Sequence, residues 1–273
     1  MKIRLYILNY NNDEALTGTL DSLYDSDIVQ EDFEFFILNN HSNINVKLDR
    51  PQLTLMNNVC RPDFSCGHHT RSWNQALLNG FEDLSNPACD LVIACHNDTL
   101  FYPDWFSYIK NLLEKYTFIQ MGDGDNLMIW KPEAVKKIGI WDERFCGGGY
   151  QEADYFLRAV SYNREFSSIN DGHHGRRHNQ EENKCVDTSF SHHPGTATAR
   201  KVTQSYHEVS KIFFEKKWPG MPHPIIGEWE LKDGKFPVDD YLSPSIDSYI
   251  TYPYFEKHID RETQKLLKYF YIM

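Results

Sequence analysis

The run Asp90-Leu91-Val92-Ile93-Ala94-Cys95, broken at once by His96-Asn97-Asp98, constrains the fold more than any other segment. It is continuously apolar, so neither of its faces is written for water, and its length suits a strand. Strands buried on both faces belong to mostly parallel sheets that helices cover on either side. The rest of the first half agrees. Ile3 to Leu8 reads as a strand stopping at Asn9, Phe33 to Leu38 as a second ending in Asn39-Asn40-His41-Ser42, and Leu53 to Met56 as a third. Between them, Asp13 to Tyr24 carries Ala15, Leu16, Leu20 and Leu23 at helical spacing, with Asn12 or Asp13 as the N-cap. Thr70 to Phe81 places Trp73, Ala76, Leu77 and Phe81 on one helical face, and Pro103 to Tyr116 reads as a helix with an early proline. The expected class is α/β: a Rossmann-like, mixed and mostly parallel sheet flanked by helices.

A ligand of such a sheet sits at the carboxyl ends of its strands. The polar clusters at Asn9, Asn39 and His96 to Asp98 all fall at such ends. A carboxylate placed there, as Asp98 is, can hold Mg²⁺ or Mn²⁺ while phosphate oxygens and waters fill the other positions. The same three residues can also be an ordinary turn in which Asn97 and Asp98 cap the next segment. The net charge of −11 argues against general nucleic-acid binding and against docking on anionic membranes. It does not exclude a nucleotide, because a few local donors and a divalent cation neutralise a diphosphate.

The N-terminus lacks the long apolar stretch and small-residue cleavage site of a signal peptide, and no stretch approaches the roughly 18 apolar residues of a membrane span. The six cysteines form no CxxC pair and read as reduced thiols. A cytoplasmic enzyme without a transmembrane segment is the expectation. From Arg164 to Thr198 the chain is rich in His, Asn, Gly and Arg without periodicity and reads as a long functional loop; Lys201 to Trp218 and Arg261 to Tyr271 read as helices. Residues 1–200 are expected to form the catalytic domain. Residues 201–273 are expected to form a helical or irregular extension packed on that domain or on the partner subunit of a homodimer.

Several blocks resemble, in order, those of the inverting GT-A glycosyltransferases, the family 2-like group. Leu8-Asn9-Tyr10-Asn11 is similar to the family's Pro-Thr-Tyr-Asn, and Ile37-Leu38-Asn39-Asn40-His41-Ser42 to its Val-Asp-Asn-Gly-Ser. Gly67 with Ser72-Trp73-Asn74-Gln75-Ala76 resembles its Gly…Asn helix, and His96-Asn97-Asp98 stands where it has Asp-x-Asp. Ile138-Gly139-Ile140-Trp141-Asp142-Glu143-Arg144-Phe145 resembles its Gly-Gly-Phe-Asp-Glu-Arg-Phe, and Gln151-Glu152-Ala153-Asp154 with Arg158 its Glu-Asp-x-Asp…Arg. The resemblance covers residues 3 to 200.

It implies a GT-A fold and transfer of a sugar from a nucleotide sugar, with a UDP-sugar favoured, to a hydroxyl of a glycan or glycoconjugate. Asn9, Tyr10, Asn11, Asn39, Arg71, Asn74, His96 and Asn97 would meet the donor. Asp98 would hold Mn²⁺ or Mg²⁺, joined by His192 or His193 from the late His-x-Gly segment; His173, His174 and His178 compete for that part. Glu152 would be the catalytic base and Asp154 its support. Arg176, Arg177 and Arg200 are further diphosphate candidates, and Trp141 is an acceptor-pocket candidate. The chain departs from the family at three of these places: His96 replaces the first acid of the metal motif, Asn39 the base-reading Asp, and Glu152 the more common Asp. A sugar nucleotidyltransferase is a rival reading, weakened because residues 9 to 25 contain one Gly and no Lys or Arg. A catalytically idle glycan-binding or scaffold relative is another.

Overall fold

The computed structural model describes residues 1–10, 12–40, 43–58, 68–121, 125–143, 145, 150–162, 166–169, 186–187, 210–212, 214–215 and 217–218. In chain order the elements are β1 (Lys2–Asn9), α1 (Asp13–Tyr24), β2 (Asp32–Asn40), β3 (Leu53–Asn58), α2 (His68–Phe81), β4 (Leu91–His96), β5 (Leu100–Phe101), α3 (Trp105–Leu113), β6 (Phe118–Met121), β7 (Leu127–Trp130), α4 (Pro132–Ile138), α5 (Tyr150–Tyr162), β8 (Phe166–Ile169) and β9 (Val186–Asp187). A short 3₁₀ turn at Asp27–Gln30 joins α1 to β2. Asn12 caps α1, its side-chain oxygen accepting from the Ala15 amide at 3.1 Å.

Seven strands form one sheet in the order β3-β2-β1-β4-β7-β6-β8, and β5 pairs with β9 in a separate two-stranded ribbon. The pairs β3/β2, β2/β1, β1/β4 and β6/β8 are parallel, while β7 runs antiparallel to both β4 and β6. The reversal is forced by chain length. Only residues 122–126 separate β6 from β7, whereas a parallel return needs a crossover of about a dozen residues or more. The sheet is therefore mixed and mostly parallel, as the strand patterns and the resemblance imply.

The period of two along the strands sorts the core into two layers. Ile3, Leu5 and Ile7 of β1, with Leu91, Ile93 and Cys95 of β4, pack against Leu16, Leu20 and Leu23 of α1 and against Trp105, Phe106 and Ile109 of α3. Tyr6 and Leu8, with Val92 and Ala94, face Trp73, Leu77 and Phe81 of α2, Val135 of α4 and Tyr155 of α5. β4 is thus buried on both faces, which is what its continuous apolar run encodes. Cys89 and Cys95 are free buried thiols. No helix among the described residues is long and apolar enough to cross a membrane.

Where α2 crosses the sheet, Gly80 lies so close to Val92 that a Cβ would overlap Val92 Cγ2. Gly80→Ala is expected to lower stability. Overpacking a β-branched side chain on a central strand costs about 1–3 kcal/mol, against which helix propensity returns at most about 1 kcal/mol. A lowered midpoint in urea, followed by circular dichroism, checks this.

Two expectations change. The stretch from Arg164 to Thr198 is not wholly loop, since it supplies β8 at the edge of the main sheet and β9 beside β5. Phe166-Ser167-Ser168-Ile169 carries apolar residues only at its ends, too faint a pattern to read as a strand. Trp141 is 1% exposed and stacks on Tyr155 with ring centroids 4.2 Å apart, so it fills the core and presents no face to an acceptor. The helix expected over Lys201 to Trp218 is described at residues 210–212, 214–215 and 217, and Phe214 and Trp218 are buried. The helix expected over Arg261 to Tyr271 lies outside the described residues.

Candidate active site

Parallel pairing in register brings the carboxyl ends of β1 to β4 to one edge. Asn9 stands opposite Asn39, Asn39 opposite Asn57, Asn40 opposite Asn58, and Leu8 opposite His96. At that edge the side-chain amides form a row. Asn97 Nδ2 donates to Asn9 Oδ1 at 2.7 Å, Asn9 Nδ2 to Asn39 Oδ1 at 3.0 Å, and Asn39 Nδ2 to Asn57 Oδ1 at 2.9 Å. A second row ties the strand ends to α2: Asn40 Nδ2 donates to Ser72 Oγ, and Asn58 Nδ2 to both Asn40 Oδ1 and Gln75 Oε1. Buried amides left unpaired would each cost about 1–3 kcal/mol, so these rows set the edge rigidly. Asn39 Oδ1 accepts from Asn9, and an amide oxygen has two lone pairs with which to accept.

β4 ends in His96, whose ring lies parallel to the Trp73 indole at 10° with centroids 5.4 Å apart. Its backbone amide donates to Asn126 O at 3.0 Å, which draws the β6–β7 hairpin over the same edge. The buried Asp125 arrives with it. Its Oδ1 lies 3.4 Å from His96 Nε2, its Oδ2 accepts from Trp73 Nε1 at 2.8 Å, and His69 Nδ1 is 3.9 Å away. Glu152, in the first turn of α5 and 7% exposed, is within hydrogen-bonding reach of Asp125. Burial opposes a charged His96, but Asp125 outweighs it, with Asp98 adding to the effect, and the His96 pKa is raised. Burial likewise opposes a charged Asp125, yet His96 first, then His69 and Glu152, hold its carboxyl well below the ordinary range.

Asp98 is 6% exposed, and its Oδ1 is buried without a hydrogen-bond partner among the described residues. A carboxylate oxygen in that condition suits a hard divalent cation, which supplies the missing charge. Asn97 is anchored as well as buried, since its carbonyl accepts from Thr19 Oγ1 at 2.7 Å.

Other expected site residues have different commitments. Asn74 Oδ1 accepts from the Trp141 amide at 2.7 Å, while its Nδ2 donates to Trp141 O at 3.0 Å and to Glu143 Oε1 at 2.8 Å. Its amide clamps the 141–143 turn to α2. Asn74→Ala would strand two buried backbone groups of Trp141, each worth about 1–3 kcal/mol. The expected loss of about 2–4 kcal/mol is checked by denaturant unfolding.

Asp154 is fully buried. Its Oδ2 accepts from Arg158 Nε at 3.0 Å, while its Oδ1 accepts from Trp218 Nε1 at 2.9 Å and lies 2.7 Å from Lys217 Nζ. Both carboxylate oxygens are thus spent on holding α5 in place. Arg71 is half exposed and lies 3.4 Å from Glu143, and Tyr10 is exposed just beyond β1. Asn11, His173, His174, Arg176, Arg177, His178, His192, His193 and Arg200 lie outside the described residues.

Sequence reasoning missed Asp125, His69, Asn57 and Asn58. Asn57-Asn58 ends its strand as Asn39-Asn40 does, a repeated signal that was available. Asp125 becomes visible only once β6 and β7 are read as a hairpin, since its place beside His96 comes from antiparallel pairing across the sheet.

No family profile matches the sequence, and no curated protein is significantly similar to it. Solved structures with a related fold include a mannosyltransferase from Pyrobaculum calidifontis, solved in complex with GDP-Man and Mn²⁺. It is 14% identical with a TM-score of 0.43, over 62% of this chain and 54% of that one. S. aureus TarS 1–349 in complex with UDP is 13% identical with a TM-score of 0.45, over 63% of this chain and 58% of that one. Glucosyl-3-phosphoglycerate synthase from Mycobacterium tuberculosis, in complex with Mn²⁺, UDP and phosphoglyceric acid, is 11% identical with a TM-score of 0.43, over 62% and 68% of the two chains. The chain spans little more than half the length of the first two. At such identities and TM-scores the similarity is distant, and each ligand belongs to its own protein. This chain is an α/β protein with a mixed, mostly parallel sheet, whose strand ends gather asparagine, histidine and carboxylate side chains into one site.

Proposed function

We propose that the chain is a glycosyltransferase that moves a sugar from a nucleotide donor, a UDP-sugar being favoured, to a hydroxyl of a glycan or glycoconjugate, with inversion. One observation carries the reading. Asp98, two residues beyond β4, carries a buried carboxylate oxygen without a hydrogen-bond partner among the described residues, and Glu152 supplies a second buried carboxyl from the first turn of α5. A buried carboxylate for a cation and a second carboxyl for proton removal are the minimal parts of a single displacement. The resemblance of residues 3 to 200 to inverting GT-A enzymes supports the same assignment.

In this reading the nucleoside lies along the asparagine row, where Asn39 Oδ1 accepts from the imide of uracil and Asn9 and Asn97 hold Asn39 in place. Asp98 is the protein ligand for Mn²⁺ or Mg²⁺, with His192 or His193 a further one. When bound, the cation offsets charge on the departing diphosphate. Glu152 takes the acceptor hydroxyl proton as that oxygen bonds to the anomeric carbon and the bond to the diphosphate breaks on the opposite face. Asp154 acts through α5, fixing the direction of Glu152.

Calorimetry with UDP, GDP and their sugars, with and without Mn²⁺, tests the proposal. Binding of a nucleoside diphosphate is expected to require Mn²⁺ and to weaken at least tenfold in Asp98→Asn. Absence of any metal-linked nucleotide binding would remove the enzyme reading and favour a scaffold.

A further inference from the structure

His69, His96 and Asp125 converge so that one ligand atom from each lies within 4.8 Å of the others. From this geometry we infer that they form a resident transition-metal site, distinct from the donor-linked cation on Asp98 and filled without any nucleotide. Ligand atoms about 2.1 Å from a tetrahedral ion stand about 3.4 Å apart. That is the separation of His96 Nε2 from Asp125 Oδ1, and His69 Nδ1, 3.9 Å from Asp125 Oδ2, brings the third donor from a half-exposed side chain.

Two further observations point to an ion and not to a simple ion pair. His96 Nε2 is a buried nitrogen that makes no well-formed hydrogen bond, despite its nearness to Asp125. An ion pair would need one imidazole and one carboxylate. Here two imidazoles converge on one carboxylate. The surroundings are also built to hold ligands still. Trp73 stacks flat on the His96 ring and donates its indole N–H to Asp125 Oδ2, so one side chain fixes both the plane of one ligand and the rotamer of another. Such outer contacts orient metal ligands. Two imidazoles and a carboxylate select Zn²⁺, Co²⁺ or Mn²⁺ over Mg²⁺.

The inference does not use the transfer reaction, and its test contains no sugar nucleotide. The full chain is stripped with a chelator and titrated with Co²⁺, reading visible d–d absorption, then challenged with Zn²⁺. The expected result is absorption that saturates at one equivalent and is displaced by Zn²⁺. It should be lost in Asp125→Asn and in both His69→Ala and His69→Gln, and kept in Asp98→Asn. His69 is half exposed on α2, so its replacements should retain the native circular dichroism spectrum. Trp73→Phe should weaken the ion about tenfold or more. Three results would each overturn the inference: no absorption in the wild-type chain, absorption unchanged in folded His69 variants, or absorption abolished in Asp98→Asn.

Discussion

Glu152→Gln is expected to reduce sugar transfer by about 10²–10⁴-fold while leaving nucleotide affinity nearly intact. The amide is close to isosteric, keeps an oxygen that can accept a hydrogen bond, and cannot remove a proton. Glu152 sits in the first turn of α5 at 7% exposure, and the near-equal volume of Gln means the change opens no cavity. The rival role for a first-turn acid is to interact favourably with the helix dipole, worth about 0.3–1 kcal/mol. That role affects stability and leaves turnover alone. Single-turnover kinetics beside thermal unfolding separate the two. A variant that transfers at the wild-type rate would show that another group takes the proton.

Asp154→Ala is expected to destabilise the fold by about 3–5 kcal/mol, the cost of leaving buried charge without its partner. Asp142, Asp154, Arg158 and Lys217 form an enclosed group of two acids and two bases. Lys217 Nζ lies 2.8 Å from Asp142 Oδ2 and 2.7 Å from Asp154 Oδ1, and Arg158 also donates to the carbonyls of Ile138 and Ile140. Removing Asp154 takes away the carboxylate facing Arg158 and leaves Lys217 with Asp142 alone. Removing one acid and one base together, as in Asp154→Asn with Lys217→Met, keeps the group neutral. The double variant is therefore expected to be more stable than the sum of the single changes predicts. Denaturant unfolding of the wild-type, single and double variants measures that coupling. Additive losses would mean that the four groups act independently. The same group joins Lys217 and Trp218 to α5.

The sheet was legible from the sequence where burial is two-sided or the helical period is clean. Leu91 to Cys95 could only be an interior strand, and α1 runs from Asp13 to Tyr24 as its apolar spacing requires. The three asparagine-rich strand ends were legible for the same reason, since an apolar run has to stop where the backbone reaches water. What was not legible depends on pairing between distant segments. Phe118 to Met121 and Leu127 to Trp130 are four-residue runs that could have belonged to any buried element. Their antiparallel join is what sets Asp125 against His96. Asn74 and Asp154 stand out in the sequence, but a motif does not say whether a polar group faces ligand or chain. Asn74 spends its amide on Trp141 and Glu143, and Asp154 spends its carboxylate on Arg158, Lys217 and Trp218.

We propose the carboxyl edge of β1, β2 and β4 as a nucleotide-sugar site. A crystal structure of the full chain soaked with UDP and Mn²⁺, with anomalous data to locate the ion, tests it most directly. The account predicts uracil along the Asn9–Asn39 row, Mn²⁺ bound to Asp98 and to the diphosphate, and Glu152 facing the space beyond the β-phosphate. Uracil and diphosphate bound away from that edge, or UDP bound there with Asp98 taking no part, would contradict it.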